Sequence, residues 1–224
     1  MAGTLFIISA PSGSGKSTLV SQLRSLVEGL DFSISYTTRI PRGSETDGRE
    51  YHFATREDFE GKIERGEFLE WAEVFGNYYG TAISALQHAK VLGKDLLLDI
   101  DVQGAMQVMK KLPEAVSIFI LPPSPEVLER RLRNRSVAEH VTSETVIQSR
   151  LAEAENELKR ISEYAYALVN DVLDEAVAEM RAIVLYERGE RDEVEAIART
   201  CRTNAASQKL RSALETFGLK IVAE

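Results

Sequence analysis

Ser9-Ala10-Pro11-Ser12-Gly13-Ser14-Gly15-Lys16-Ser17-Thr18 decides the fold of this chain. An apolar run, Leu5-Phe6-Ile7-Ile8, precedes it, and Leu19-Val20-Ser21-Gln22-Leu23 follows. The order is strand, glycine-rich turn, helix. The pattern G-x-x-x-x-G-K-[ST] of a phosphate-binding loop holds, with Ala10 in place of the first glycine. Backbone N–H groups of such a turn, Ala10 through Thr18 apart from Pro11, face an anion at the helix N-terminus. Lys16 supplies a point charge within reach of β- and γ-phosphates, and the Ser17 hydroxyl can ligate Mg²⁺. The bland alternative is a small polar strand-to-helix turn, but both flanks that the motif requires are present. Alanine is the smallest residue with a Cβ, so Ala10 is a mild departure, and Gly13 and Gly15 are retained.

Outward from the loop, short apolar runs alternate with helical patterns. Leu5–Ile8, Leu96–Leu98, Val116–Leu121 and Ala167–Val169 read as buried parallel strands. Lys16–Val27, Ile83–Leu92, Gln103–Leu112, Pro125–Arg135, Val146–Ile161 and Leu173–Arg188 read as helices. Gly93 is placed to end one of them and Pro125 to begin another. This alternation predicts an α/β fold, a parallel sheet with helices on both faces. Phe32–Tyr79 breaks the rhythm. Phe32–Tyr36, Tyr51–Phe53 and Phe68–Val74 read as short strands around a helix capped by Thr55 and Asp58 and ended by Gly66. We expect a small, mostly β insertion there, and a helical, amphipathic tail over Arg191–Phe217.

Composition bounds the function. The 224 residues are 44% hydrophobic and 28% charged, an ordinary globular balance. A net charge of −8 argues against a general nucleic-acid or membrane-surface binder. Cys201 is the single cysteine, so no intramolecular disulfide is available. His52, His88 and His140 are scattered, without zinc-ligand spacing. The apolar run at the N-terminus is short for a signal peptide and lacks a basic region before it. A cytoplasmic enzyme is the resulting expectation.

Four further segments carry chemistry. Arg39 and Arg42 flank Ile40-Pro41, where proline holds the backbone extended. Two guanidinium forks near one point suit a phosphate dianion, and Tyr51 and Tyr79 can add neutral donors. The alternative is a solvated turn. Glu70 lies in the apolar stretch Phe68-Leu69-Glu70-Trp71, and a buried carboxylate there needs a partner. Guanine offers N1–H and the N2 amine on one edge, whereas adenine offers a lone pair at N1, so a carboxylate attracts one and repels the other. An exposed strand-face glutamate is the alternative. Leu96-Leu97-Leu98-Asp99-Ile100-Asp101 ends an apolar strand in acids, where ligands sit in open α/β sheets. Asp99 fits a Walker B role, holding Mg²⁺ directly or through water. Asp101 is expected to reach a second nucleotide or to cap the following helix. Arg131 and Arg135 share a helix face. With Arg150 they are expected to close over phosphates as a lid, or to form a solvated face paired with Glu126 or Glu129.

With these segments in place the chain resembles the guanylate kinase family from about Leu5 to Glu187. The resemblance rests on SAPSGSGKST (Ser9–Thr18), SYTTRIPR with Glu45 and DGREYHF (Ser35–Phe53), FLEWAEVFGNYYGT (Phe68–Thr81) and LLLDIDVQG (Leu96–Gly104). It implies a P-loop core over residues 1–32, 84–124 and 162–190, a mixed α/β GMP-binding insertion over 33–83, a helical lid over 125–161 and an extension over 191–224. It implies ATP and GMP as substrates with Mg²⁺ as cofactor, and no nucleic-acid or membrane partner. Ser35, Glu70, Thr81 and Asp101 would hold guanine. Arg39, Arg42, Tyr51 and Tyr79 would hold the GMP phosphate, with Glu45 nearby. Ser14–Thr18 would hold ATP phosphates, and Asn170 matches a family asparagine near the ATP side. Lys16, Arg39, Arg131, Arg135 and Arg150 would act in catalysis. The segment 136–145 is longer than the commonest family form, and the tail beyond Arg188 is less familiar. A non-catalytic binding module of the same fold and a kinase for another nucleotide are the alternatives. A regulatory GTPase is disfavoured because no Asn-Lys-x-Asp occurs.

Overall fold

The computed structural model describes residues 3–138 and 143–220. β1 (Leu5–Ser9) leads through the glycine loop into α1 (Lys16–Leu26). β2 (Leu30–Phe32), β3 (Tyr36–Thr37), β4 (His52–Phe53) and α2 (Arg56–Glu64) follow, then the hairpin of β5 (Phe68–Val74) and β6 (Asn77–Ala82). α3 (Ile83–Leu92), β7 (Asp95–Asp99), α4 (Val102–Lys111) and β8 (Val116–Leu121) come next. The chain then forms α5 (Pro125–Ala138), α6 (Glu144–Leu158), β9 (Tyr166–Val169), α7 (Leu173–Glu187), α8 (Asp192–Thr200) and α9 (Gln208–Thr216).

Five strands hydrogen-bond in the order β2-β7-β1-β8-β9, the parallel sheet that the alternation predicts. Side chains of the inner strands β7, β1 and β8 are buried on both faces: Phe6, Ile7, Ile8, Leu97, Leu98 and Ile118 through Leu121 have no exposed surface. That is why these strands read as unbroken apolar runs. Four strands, β4-β3-β6-β5, form a second, mixed sheet.

The chain divides into two compact units, Met1–Ile7 with Gly29–Ala115, and Ile8–Glu28 with Val116–Glu224. In the first, Phe59 of α2 stacks on Phe68 and Tyr78, with ring centroids 4.4 and 5.3 Å away, and α4 packs on β5. Thr55 caps α2 as expected: its Oγ1 accepts from Asp58 N at 3.1 Å and donates to Asp58 Oδ2 at 2.7 Å. Gly93 ends α3 in the left-handed region, φ 62°. In the second unit, α1 packs on α7, α5 on α6, α7 on α8 and α9 on β9.

One local expectation changes, one strand is added, and the helical tail gains a break. Phe32–Tyr36 is not one strand. Ser33 N still donates to Leu97 O (3.0 Å) of the five-stranded sheet, whereas Ser35 O accepts from His52 N (2.9 Å) of the other. The chain changes sheets at Ile34, and periodicity alone does not mark a change of partner. Asn77–Ala82 is a strand that its tyrosines and Gly80 concealed. The tail is two helices, α8 and α9, separated by a 3-10 turn at Thr203–Ala205.

Candidate functional site

The loop after β1 is shaped by backbone before any side chain acts. Ser14 N donates to Pro11 O (3.1 Å), closing a turn. Gly13 and Gly15 have φ of 90° and 86°, and Gly15 is the N-cap of α1. A Cβ built on Gly15 would also meet Asn170 Nδ2 closer than 3.0 Å. Left-handed backbone and close approach together leave glycine as the residue that fits. Asn170 Nδ2 donates to Ser14 O (2.7 Å), and Asn170 N donates to Leu121 O (2.8 Å). Asn170 therefore ties the loop to the end of β8. Lys16 is half-buried, Ser17 and Thr18 are exposed, and the buried Ser14 Oγ has no hydrogen-bond partner.

Arg131 of α5 reaches the same loop. Its Nη1 donates to Ser14 O (3.3 Å) and its Nη2 to Asn170 O (3.1 Å). Burial, then the charge of neighbouring Arg130, holds its pKa below the usual guanidinium value. Arg133, two residues further along α5, is instead engaged by Glu129 and Glu144, each approached within 2.7 Å. Arg135 is exposed, and Arg150 of α6 donates to Ser136 Oγ (3.2 Å). His140 lies outside the described residues.

In the other unit, Ser33, Ser35, Thr37 and Arg39 are buried in alternation with the more exposed Ile34, Tyr36, Thr38 and Ile40. The inward side of this extended segment is polar, the reverse of a core strand. Thr37 is satisfied internally: its Oγ1 donates to Tyr78 O (2.9 Å) and accepts from Arg39 N (3.1 Å). Arg39 is only 8% exposed. Its Nη2 lies 3.0 Å from both carboxylate oxygens of Glu45, and its Nη1 donates to Ile40 O (2.8 Å). Glu45 Oε2 also accepts from Arg42 N (2.8 Å), so one carboxylate fixes both ends of the Arg39–Arg42 turn. Burial opposes the Arg39 charge, but hydrogen bonding and charge from Glu45 and Tyr79 outweigh it, and its pKa is raised. The Arg39 guanidinium carbon lies 5.4 Å from the Tyr51 ring centre, and Tyr51 meets Tyr79 edge-on at 5.9 Å. Burial, then the charges of Asp99 and Tyr79, pushes the Tyr51 phenol up to about 12. It remains a neutral donor at physiological pH. The Arg42 side chain is exposed.

Glu70 is buried, 2% exposed, in β5. A register shift between Phe68 and Glu70 lets Phe68, Leu69 and Glu70 all be buried before inward–outward alternation resumes. Thr81 stands opposite in β6. It eases the cost of the Glu70 charge, although Thr81 Oγ1 itself makes no hydrogen bond of good geometry. Burial, then the like charge of Asp101, outweighs Thr81 and Lys111 and raises the Glu70 carboxyl to about 7. Asp101 is the N-cap of α4, its Oδ1 accepting from Gly104 N (3.0 Å). β7 ends at Asp99, so Asp101 lies beyond the strand on which it was expected, and the capping alternative describes its observed bond. Cap and carboxylate converge because residue 104 is glycine: a Cβ there would meet Glu70 Oε2 closer than 3.0 Å.

A family model described as guanylate kinase matches residues 2–187. The chain belongs to the guanylate kinase family. It is 54% identical to a guanylate kinase of Koribacter versatilis over 97% of both chains. It is 49% identical to one of a Shewanella species, over 83% of this chain and 88% of that one. A crystal structure of guanylate kinase from Anaplasma phagocytophilum superposes with a TM-score of 0.70 at 34% identity, covering 85% and 88% of the two chains.

Within this guanylate kinase-family chain, sequence reasoning passed over three features beside the site. Ser33 has a buried hydroxyl without a partner, and the polar alternation Ser33-x-Ser35-x-Thr37-x-Arg39 is the signal that marks it. Gly104 was quoted but given no role, since a close approach leaves no mark in one sequence. Leu128 and Leu132 lie against Gly13, whose Cβ would come 3.2 and 3.0 Å from them. They read only as the apolar stripe of a helix.

Proposed function

We propose that this chain transfers the γ-phosphoryl group of ATP to GMP, giving ADP and GDP, with dGMP as a second acceptor. Glu70 carries the reading. A carboxyl buried among apolar neighbours and held near 7 costs stability unless a ligand completes it. Guanine's paired N1–H and N2–H donors do so, whereas adenine brings a lone pair against the charge. Sites that hydrogen-bond a substrate group can reject its absence by about 10⁴-fold. The orphan hydroxyls of Ser33 and Thr81 call for polar ligand atoms in the same unit.

On this reading Ser35, Glu70, Thr81 and Asp101 hold the base. Arg39, Arg42, Tyr51 and Tyr79 hold the acceptor phosphate, with Glu45 fixing Arg39. Residues 33–83 form the acceptor subdomain and 125–161 the lid. On the donor side the loop amides, Lys16 and Arg131 receive the ATP phosphates, steadied by Asn170, while Arg135 and Arg150 add charge from the lid. The acceptor oxygen of GMP is already anionic, so no general base is required. Catalysis then consists of positioning and charge neutralisation.

Nucleotide-bound Mg²⁺ keeps several waters and takes one or two protein oxygens, not a protein cage. Among the described residues no three His, Cys, Asp or Glu gather into a metal site. The Ser17 hydroxyl at the start of α1 and the Asp99 carboxylate at the end of β7 are hard oxygen donors of the kind Mg²⁺ takes. Bound with ATP, the ion would neutralise phosphate charge.

The test is a coupled assay with ATP, Mg²⁺ and each of GMP, dGMP, AMP, CMP and UMP. We expect ADP with GMP and dGMP and little with the others. Background rates with GMP would overturn the reading.

A further inference from the structure

The family match ends at residue 187, and α8 and α9 lie beyond it. The Koribacter versatilis relative aligns over 97% of this chain, whereas the Shewanella relative aligns over 83%. The extension is thus an addition that some relatives share.

It is firmly attached. Ala167 N of β9 donates to Cys201 O (2.8 Å), and Thr203 N donates to Ala165 O (3.2 Å), so the segment between α8 and α9 pairs with β9. Thr203 Oγ1 also donates to Tyr164 O (2.5 Å). Arg202 bonds Glu187, which also accepts from the Tyr166 hydroxyl. Lys209 lies 3.1 Å from Glu175 and 3.2 Å from Glu179 on α7. Leu210, Ala213 and Leu214 of α9 are buried.

The end of this strut reaches the lid helices. Phe217, immediately after α9, packs with Leu151 against a buried cluster of Leu128, Leu132 and Ala154, which joins α5 to α6. Leu128 and Leu132 are the residues that lie against Gly13 of the phosphate loop. Between them on α5 stands Arg131, bonded to Ser14 O and Asn170 O. Asn170 itself follows β9, the strand the extension grips.

We infer that Phe217 is a positioning residue: the C-terminal extension braces α5 and so sets Arg131 against the phosphate loop. The inference rests on the ATP-binding reading of that loop. A displaced helix would carry its arginine off line, and small misplacements of charge weaken transition-state stabilisation. Mutations that act through such packed chains change coupling by factors of about 2 to 30.

A double-mutant cycle between Phe217→Ala and Arg131→Ala tests this, with saturation curves for ATP and for GMP on the full chain. Phe217→Ala is expected to lower kcat about three- to tenfold and to raise the KM for ATP, with the KM for GMP unchanged. In the Arg131→Ala background the same change is expected to have little further effect. Phe217→Leu, which keeps an apolar contact, is expected to restore most of the turnover. If Phe217→Ala does not accumulate as folded protein, the cycle is run with Phe217→Leu, whose smaller loss is expected to vanish in the same background. Equal losses in both backgrounds, an unchanged kcat, or a shift in the KM for GMP of the same size would overturn the inference. An inactive wild-type chain would instead refute the kinase reading, so the two failures are distinct.

Discussion

Glu70 Oε2 stands where a side chain at residue 104 would begin: a Cβ built on Gly104 would lie closer than 3.0 Å to it. The carboxylate is thereby admitted to the first turn of α4, beside the Asp101 cap that binds Gly104 N. Burial of Glu70, and after it the like charge of half-buried Asp101, raises the Glu70 carboxyl to about 7, a costly arrangement. Such strain belongs at a site that a ligand completes.

Gly104→Ala separates site from scaffold. Alanine is the better helix former by about 1 kcal/mol, so α4 itself is not harmed. The new methyl must push Glu70 aside. The KM for GMP is expected to rise at least about tenfold while the KM for ATP stays within about twofold. Steady-state kinetics with each substrate varied in turn checks it.

Glu70 also makes stability depend on pH. Its folded pKa, about 7, lies above the ordinary 4.5, so the folded state binds the proton more tightly. The cost of the ionised carboxylate is absent below about pH 4.5, grows through the interval, and is complete above about pH 7. Glu70→Gln is therefore expected to stabilise the protein at pH 8 by about 3 kcal/mol, with the gain fading towards pH 5. Urea unfolding at both pH values measures this. A gain of equal size at both would remove the burial argument.

The sequence showed much of this in outline, and the reasons are physical. The sheet was legible because strands buried on both faces cannot hide their apolar runs, as in Val116–Leu121. The loop was legible because Gly13, Gly15 and Lys16 have few other uses in that order. Asn77–Ala82 was not legible as a strand, because Tyr78 and Tyr79 carry no alternation and Gly80 breaks the pattern. Packing was the least visible. Nothing local to Glu70 names Gly104, thirty-four residues on, as its neighbour, and nothing in Phe217 points to Leu128 and Leu132. The sequence marks the guanidinium of Arg39 as a candidate phosphate ligand, but not that Glu45 lies 3.0 Å from it.

Guanine binding should select the ionised form of Glu70. GMP affinity is then expected to fall as pH drops through 7, by up to about tenfold per unit. Titration of GMP by calorimetry between pH 5.5 and 8 checks the slope, and Glu70→Gln is expected to flatten it.

Gly15→Ala tests the donor side. At φ 86° alanine is strained, and its methyl meets Asn170 Nδ2, which would break the bond to Ser14 O. A loss of about 2 kcal/mol in stability is expected. The KM for ATP should rise with little change in GMP affinity. Thermal melts with and without ADP read both effects.

The most direct test of the account compares kcat/KM for GMP with that for AMP, in the wild-type chain and in Glu70→Gln. The account expects a strong preference for GMP in the wild type, and a fall of about 10²-fold or more in that preference when the carboxylate becomes an amide. A preference unchanged by the substitution, or a wild-type chain that phosphorylates AMP as readily as GMP, would contradict it.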